Sequence, residues 1–134
     1  MLEDFKNNPA NRPLIQGSKL LEYSAKRVSE GGFSAVSKLT GNGVLIVGDA
    51  AGLSLNLGFT VRGMDLAIAS AEAAAQTVIH AKQSNDFSET GLNRYAELLQ
   101  NSFVLKDMKL YRNLPAVLEN PRLFNQYPQL AADI

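Results

Sequence analysis

The residues that could do chemistry in this chain cluster between positions 43 and 65. A run Gly43-Val44-Leu45-Ile46-Val47 leads into Gly48-Asp49-Ala50-Ala51-Gly52, and Asn56-Leu57-Gly58-Phe59-Thr60-Val61-Arg62-Gly63-Met64-Asp65 follows. A carboxylate at the end of an apolar strand stands where open α/β sheets bind ligands. Ionised, it only accepts hydrogen bonds, so its natural partner is a hydroxyl. A phosphate would instead want loop amides and the N-terminus of the following helix. Gly48, Ala50, Ala51 and Gly52 lack the bulk that would keep a ligand off the backbone. Gly58 and Gly63 bracket the turn into that helix, whose first turn offers unpaired amides and about half a positive charge. A ligand with hydroxyls beside a phosphate suits this set. The plainer reading has Asp49 capping a turn, the usual role of Asp after a strand.

Other polar groups read more simply. His80, the one histidine, lies on a polar stripe with Asp65, Glu72 and Gln76. It is about 25 Å along the helix from Gly63 at roughly 1.5 Å per residue, which makes it a solvated surface group. Arg62 either meets the ligand edge or a partner protein, or sits in solvent. Lys106, Lys109 and Arg112 follow helical spacing, interleaved with Leu105, Met108, Leu110 and Tyr111. They form a solvated helix face or a dock for a partner or membrane surface. No other residues have the spacing of a catalytic dyad, a triad or a metal site.

Positioning the 43–65 cluster requires a strand before it and a helix after it. Thr40-Gly41-Asn42-Gly43 is a tight turn, and Val44–Val47, apolar without alternation, fits a parallel strand covered on both faces. Residues 48–62 read as a loop and Gly63–Ala81 as a helix. Met64, Ala67, Ile68, Ala71, Ala74, Ala75 and Val78 form one stripe of it at helical spacing, suited to close packing on a sheet. Upstream, Leu2–Asn7 reads as a short helix stopped by Asn7-Asn8-Pro9, with a further turn or helix at Ala10–Gln16. Lys19–Val28 reads as a half-buried strand, turning at Glu30-Gly31-Gly32 into a return strand Phe33–Val36. Downstream, Asp86–Gln100 is a helix with Ser88 as N-cap and an apolar face of leucines and Tyr95. Helices at Phe103–Arg112 and Leu114–Glu119 follow, and Arg122–Leu130 is irregular or a helical turn.

The totals narrow the classes. At 134 residues with 46% hydrophobic content, the chain can bury one core and is too short for two domains of ordinary size. Thirteen basic residues balance thirteen acidic ones, which argues against nucleic-acid binding. The absence of Cys excludes disulfides, thiolate metal sites and thiol nucleophiles, and fits a reducing cytoplasm. Met1-Leu2-Glu3-Asp4-Phe5 is acidic and lacks the apolar core of a secretory signal. The expected location is cytoplasmic, with a peripheral membrane contact left open.

Gly-Asp-Ala-Ala-Gly after an apolar strand, with a Gly-rich turn and a small-residue helix, resembles the second FAD-binding motif of the aromatic hydroxylase and geranylgeranyl reductase superfamily. Gly43–Ala75, together with Leu2–Val36 and Asp107–Leu130, is more closely similar to the C-terminal part of FixC-type flavoproteins, relatives of electron-transfer-flavoprotein–quinone oxidoreductase. The resemblance covers nearly the whole chain. The opening Leu-Glu-Asp-Phe-Lys-Asn-Asn-Pro and the run Asn56–Ala69 carry its most specific part. It implies FAD as cofactor, with Asp49 hydrogen-bonding the ribityl chain. Gly48, Ala50 and Gly52 would line the pyrophosphate and ribityl path, and Gly58 the Gly-rich turn. Arg62, Gly63 and Met64 would present amides to the isoalloxazine, where the helix dipole would stabilise negative charge at N1 and the C2 carbonyl. The implied activity passes electrons from an electron-transfer flavoprotein of FixA–FixB type to a quinone or ferredoxin-like acceptor, with no catalytic side chain of the protein's own.

The implied fold class is α/β, reading as α+β within this segment alone. Residues 1–40 would be part of an antiparallel-sheet substrate or quinone domain. Residues 41–82 would be the C-terminal strand–loop–helix of a Rossmann-like FAD domain, and residues 83–134 a helical C-terminal region. The family's Gly-x-Gly-x-x-Gly fingerprint is absent, since Gly41-x-Gly43 precedes the strand instead of following it. A buried parallel strand also needs neighbours joined by crossovers, and Val44–Val47 is the one run that qualifies. The chain thus reads as a fragment that requires a missing N-terminal FAD domain or self-association. The alternative function is a truncated, non-catalytic chain that binds no flavin alone.

Overall fold

Helices dominate the computed structural model, which describes residues 2–25 and 27–132. The elements run α1 (Leu2–Asn7), α2 (Arg12–Ile15), a 3₁₀ turn Gly32–Ala35, β1 (Thr40–Gly41), β2 (Val44–Leu45) and a second 3₁₀ turn Gly48–Ala51. Next come β3 (Leu55–Asn56), β4 (Val61–Arg62), α3 (Met64–Ser84), α4 (Glu89–Leu92) and α5 (Arg94–Asn101). The chain continues through α6 (Phe103–Leu110), α7 (Leu114–Leu118), α8 (Arg122–Asn125) and α9 (Tyr127–Ala132). The two sheets are antiparallel pairs, β1 with β2 and β3 with β4.

Helix α3 follows from its alanine-rich sequence, which carries high helix propensity over 21 residues. It ends where Asn85 takes a left-handed conformation at φ 52°. Ser88 caps α4 as its type predicts, its hydroxyl accepting from the Gly91 N–H at 3.2 Å. Asn93 splits the expected 86–100 helix into α4 and α5, which share the buried face Leu92, Tyr95 and Leu99. The core joins Tyr95 and Leu99 of that face to Leu66 and Ala73 of α3, to Val104, Leu105 and Met108 of α6, and to Ala51, Leu53 and Leu55. Each fully buried leucine contributes about 1.5–3 kcal/mol by leaving water.

Four expectations are corrected. Val44–Val47 is not a buried parallel strand: Val44 and Leu45 pair antiparallel with Gly41 and Thr40, and Val44 is 52% exposed. A continuous apolar run is buried on both faces only when neighbouring strands and covering helices are present, and the described residues supply one two-residue partner. Lys19–Val28 is not a strand either. Residues 19–25 and 27–28 carry no regular structure, Leu21 is 90% exposed, and Lys26 lies outside the described residues. Its expected return strand Phe33–Val36 is instead the 3₁₀ turn Gly32–Ala35, entered through Gly32 at φ +58°. An isolated hairpin is marginal without a third strand or a packing helix, and this segment has neither.

The third correction concerns residues 48–62. They are a 3₁₀ turn followed by the β3–β4 hairpin rather than an open loop. The fourth concerns α3, which buries Leu66, Ser70, Ala73, Thr77 and Ala81. Of the expected packing stripe, Ala67 and Ala74 are half-buried, while the rest faces outward, with Met64 83% and Ile68 70% exposed. A Rossmann-like sheet is not formed by the described residues.

Candidate functional site

The 3₁₀ turn carrying Asp49 is hung on α3 by a buried polar network. The Gly48 N–H donates to the Ser70 Oγ at 3.0 Å, and the Ser70 hydroxyl donates to the Ala67 carbonyl at 2.8 Å. Tyr95, fully buried, donates its hydroxyl to the Ile46 carbonyl at 3.0 Å. Burial pushes the Tyr95 phenol above its usual range, against a smaller opposing hydrogen bond with Ser70. Gly48 holds φ +58°, and a Cβ there would lie 3.2 Å from the Ala67 methyl. The close approach that glycine permits here is between the turn and α3.

Asp49 projects from this turn into an open groove of about 580 Å³, lined by Asp49, Ser54, Val61, Arg62, Met64 and Ala67 among others. Its side chain is exposed and makes no hydrogen bond or ion pair among the described residues. Gly63, the residue before α3, lies against it: a Cβ on Gly63 would be 3.5 Å from the Asp49 Oδ1. A carboxylate with open acceptor positions thus faces the start of a 21-residue helix. The first turn of that helix is partly self-capped. Burial alone would raise the Asp65 carboxyl. Its hydrogen bonds from Arg62 and from the backbone of Leu66 and Asp65 outweigh that and hold it below the ordinary range. The amides of Gly63 and Met64 lie outside this cap.

Arg62 does not point into solvent. Its Nε and Nη2 donate to the Asp65 Oδ2 at 2.9 and 2.6 Å, and its Nη1 donates to the Asp107 Oδ2 at 2.8 Å. Hydrogen bonds to Asp107, then to Asp65, raise its pKa further above the usual arginine range. The guanidinium ties β4, the start of α3 and α6 together.

Of the sequence-derived site residues, Asp49, Arg62, Gly63 and Met64 meet at this groove. Gly48 lies behind it, against α3, and Ala50 is exposed beside Asp49. Gly52 is elsewhere. It is buried at φ +74° with its missing Cβ 2.4 Å from the Ala35 carbonyl oxygen, a packing demand that needs no ligand. Gly58 lines a second cavity of about 590 Å³ with Glu30, Asn56, Pro115, Leu118 and Phe124. Its φ of +86° serves the β3–β4 turn, where Asn56 Oδ1 accepts its N–H at 2.8 Å. His80 is exposed, as expected. Lys109 lies over the Phe33 ring at 5.7 Å, and the Lys106 Nζ donates to the Asn101 carbonyl at 2.6 Å.

Sequence reasoning missed Ser70, Tyr95 and Asp107. Ser70 and Asp107 lie 22 and 45 residues from their partners, and Tyr95 lies 49 from Ile46, too far for any local pattern to show. A serine inside an alanine-rich helix, buried at helical spacing from Leu66, was the one available signal.

No protein-family model matches the chain. It is 63% identical, over all 134 residues, to the probable electron transfer flavoprotein-quinone oxidoreductase YdiS of Escherichia coli K12. It is 56% identical over the same length to Protein FixC of that organism. Protein FixC of Azorhizobium caulinodans is 42% identical across 98% of the chain. In each case the match covers 31% of the relative, so the chain spans about a third of the length of the relatives it matches. The matched third is their C-terminal part.

Proposed function

We propose, from the premise that this chain is the C-terminal part of a FixC-type protein, that it forms the ribityl and isoalloxazine side of an FAD site in an electron-transfer oxidoreductase. The carrying observation is the Asp49 carboxylate, without a partner among the described residues, in an open groove beside Gly63 and the start of α3. That donor set fits half of the cofactor. A carboxylate suits the ribityl hydroxyls, and the amides of Gly63 and Met64, with the positive end of α3, suit a group that gains negative charge. No glycine fingerprint for the ADP half lies in the chain.

When bound, FAD supplies the redox chemistry. The chain's own residues position it: Asp49 accepts from hydroxyls, Ser70 fixes the turn that carries Asp49, and Arg62 braces the β4–α3 join beside it. Residues 1–40, 41–82 and 83–134 are proposed as the substrate or quinone part, the FAD strand–loop–helix and the C-terminal helices. An electron-transfer flavoprotein of FixA–FixB type is the proposed electron donor, and a quinone or ferredoxin-like protein the acceptor, at a cytoplasmic or membrane-peripheral location. No helix among the described residues is long and apolar enough to cross a membrane.

The outward stripe Met64, Ile68 and Val78 and the unpaired edge of Val44 supply the face against which the rest of an FAD domain would pack. The same observation favours a second reading, in which the chain alone self-associates and takes up no flavin. The test replaces the matching C-terminal 31% of Escherichia coli Protein FixC by this chain. The chimera should purify with visible flavin absorption, and Asp49→Ala should lose it while staying folded by circular dichroism. A folded, colourless chimera that takes up no added FAD would overturn the proposal. The isolated chain, examined by sedimentation, should be oligomeric under the second reading.

A further inference from the structure

Beside Asp49 the groove is lined by Val61, Arg62, Gly63 and Met64, consecutive residues that join β4 to α3. Such a join, between a two-residue strand and a helix start, has little to fix it locally. The β3–β4 ladder is two residue pairs long, and Gly63 at the N-cap has no side chain to cap α3. Beside the local Arg62–Asp65 pair, what fixes it is a contact from a distant helix. Asp107, on α6, accepts from the Arg62 Nη1 at 2.8 Å, while Asp65 takes the other side of the guanidinium. The Arg62 and Asp107 side chains are 26% and 31% exposed, so the pair is partly withdrawn from water and less screened than a surface pair. Helix α6 is itself anchored in the core by Val104, Leu105 and Met108. Asp107 therefore adds a tie from the core to the Arg62 end of a segment whose other end is held by buried Leu66.

We propose that Asp107 is a positioning residue for the Asp49 groove: acting through Arg62, it sets where residues 61–66 lie and so where their amides point. The flavin part of this inference rests on the proposed function; the placement of the segment does not. Planar, two-sided engagement of Arg62 by two carboxylates is a geometry that lysine cannot reproduce. Positioning of this kind demands a carboxylate at 107 and a guanidinium at 62.

The experiment uses Asp107→Asn, Asp107→Glu and Arg62→Lys. Amide hydrogen exchange is measured on the flavin-free chain, and FAD affinity and midpoint potential on the chimera. Asp107→Asn should speed exchange of residues 61–66 about tenfold while leaving α5 unchanged, and should weaken FAD about tenfold with a shift in potential. Asp107→Glu should restore each value, and Arg62→Lys should behave like Asp107→Asn. Wild-type exchange at 61–66 in Asp107→Asn would overturn the inference, as would a uniform rise through α5 that the Glu variant fails to reverse. If the unsubstituted chimera takes up no FAD, the flavin reading fails at that step, and the exchange comparison still decides the placement role.

Discussion

Replacing Ser70 by alanine removes the acceptor of a buried backbone donor without touching the groove itself. The Gly48 N–H, buried and fixed at φ +58°, has the Ser70 Oγ as its partner at 3.0 Å. Ser70 is fully buried, so no water can take the vacated place without a cavity to hold it. Leaving such a donor unpaired costs about 1–3 kcal/mol. Alanine returns roughly 0.5 kcal/mol of helix propensity. The net loss is about 0.5–2.5 kcal/mol, which at roughly 3–5 °C per kcal/mol for a chain of this size lowers Tm by about 2–12 °C. Thermal unfolding followed by circular dichroism reads this directly, and the Gly48 amide should lose its exchange protection. Ser84→Ala is the control: its hydroxyl donates to the His80 carbonyl on an exposed turn, and its Tm should not fall. An unchanged or raised Tm in Ser70→Ala would refute the idea that this bond carries the Asp49 turn.

Tyr95→Phe should cost about 1–3 kcal/mol in urea unfolding, because the Ile46 carbonyl loses its partner. The raised phenol stabilises the fold below its unfolded pKa of about 10 and loses that contribution as pH climbs through the folded value. Alkaline destabilisation above about pH 10 should accordingly flatten in this variant. Asp65 has the opposite sign. Its carboxyl is held below the ordinary range, so the stability it brings is present above about pH 4 and disappears on acidification below that. Asp65→Asn should flatten the acid limb of a Tm-against-pH curve. Gly52→Ala and Gly43→Ala separate strain from clash. Both glycines have positive φ, but a Cβ at Gly43 meets nothing within 4 Å, while one at Gly52 meets the Ala35 carbonyl. Gly43→Ala should cost about 1–2 kcal/mol and Gly52→Ala distinctly more, measured by denaturant midpoint. Asp49→Ala, changing an exposed side chain with no partner among the described residues, should leave the unfolding free energy within about 0.5 kcal/mol of unchanged.

The helical half of the molecule was legible because its signals are local. Alanine propensity set α3, Ser88 set the cap of α4, and the 3.6-residue period put Leu92, Tyr95 and Leu99 on one face. The strands were not legible, because a strand is defined by its partners. Val44–Val47 has the composition of a doubly covered strand, yet among the described residues its strand pairing is with Thr40 and Gly41 alone. The same lack of partners turned the apolar stripe of α3 outward. Its small and polar residues pack against the core it does have. At the site, the types and order of Asp49, Gly63 and Met64 were readable. The bonds that place them, from Ser70 and Asp107, join residues far apart in the chain.

The Asn42-Gly43 step at the β1–β2 turn has a bearing on how this chain ages. An asparagine followed by glycine is the dipeptide most prone to deamidation, in which the glycine amide nitrogen attacks the asparagine side chain to form a succinimide. Here both reacting groups are engaged: the Asn42 Oδ1 accepts from the Glu89 N–H, and the Gly43 N–H donates to the Phe87 carbonyl, each at 2.8 Å. The fold thereby withholds the attacking nitrogen and holds the amide it would attack. Deamidation at this step becomes a chemical clock of time spent unfolded, readable by mass spectrometry as a gain of one acidic group. A chain that stays docked at β1–β2 keeps its asparagine; one that opens there records the opening in its covalent structure.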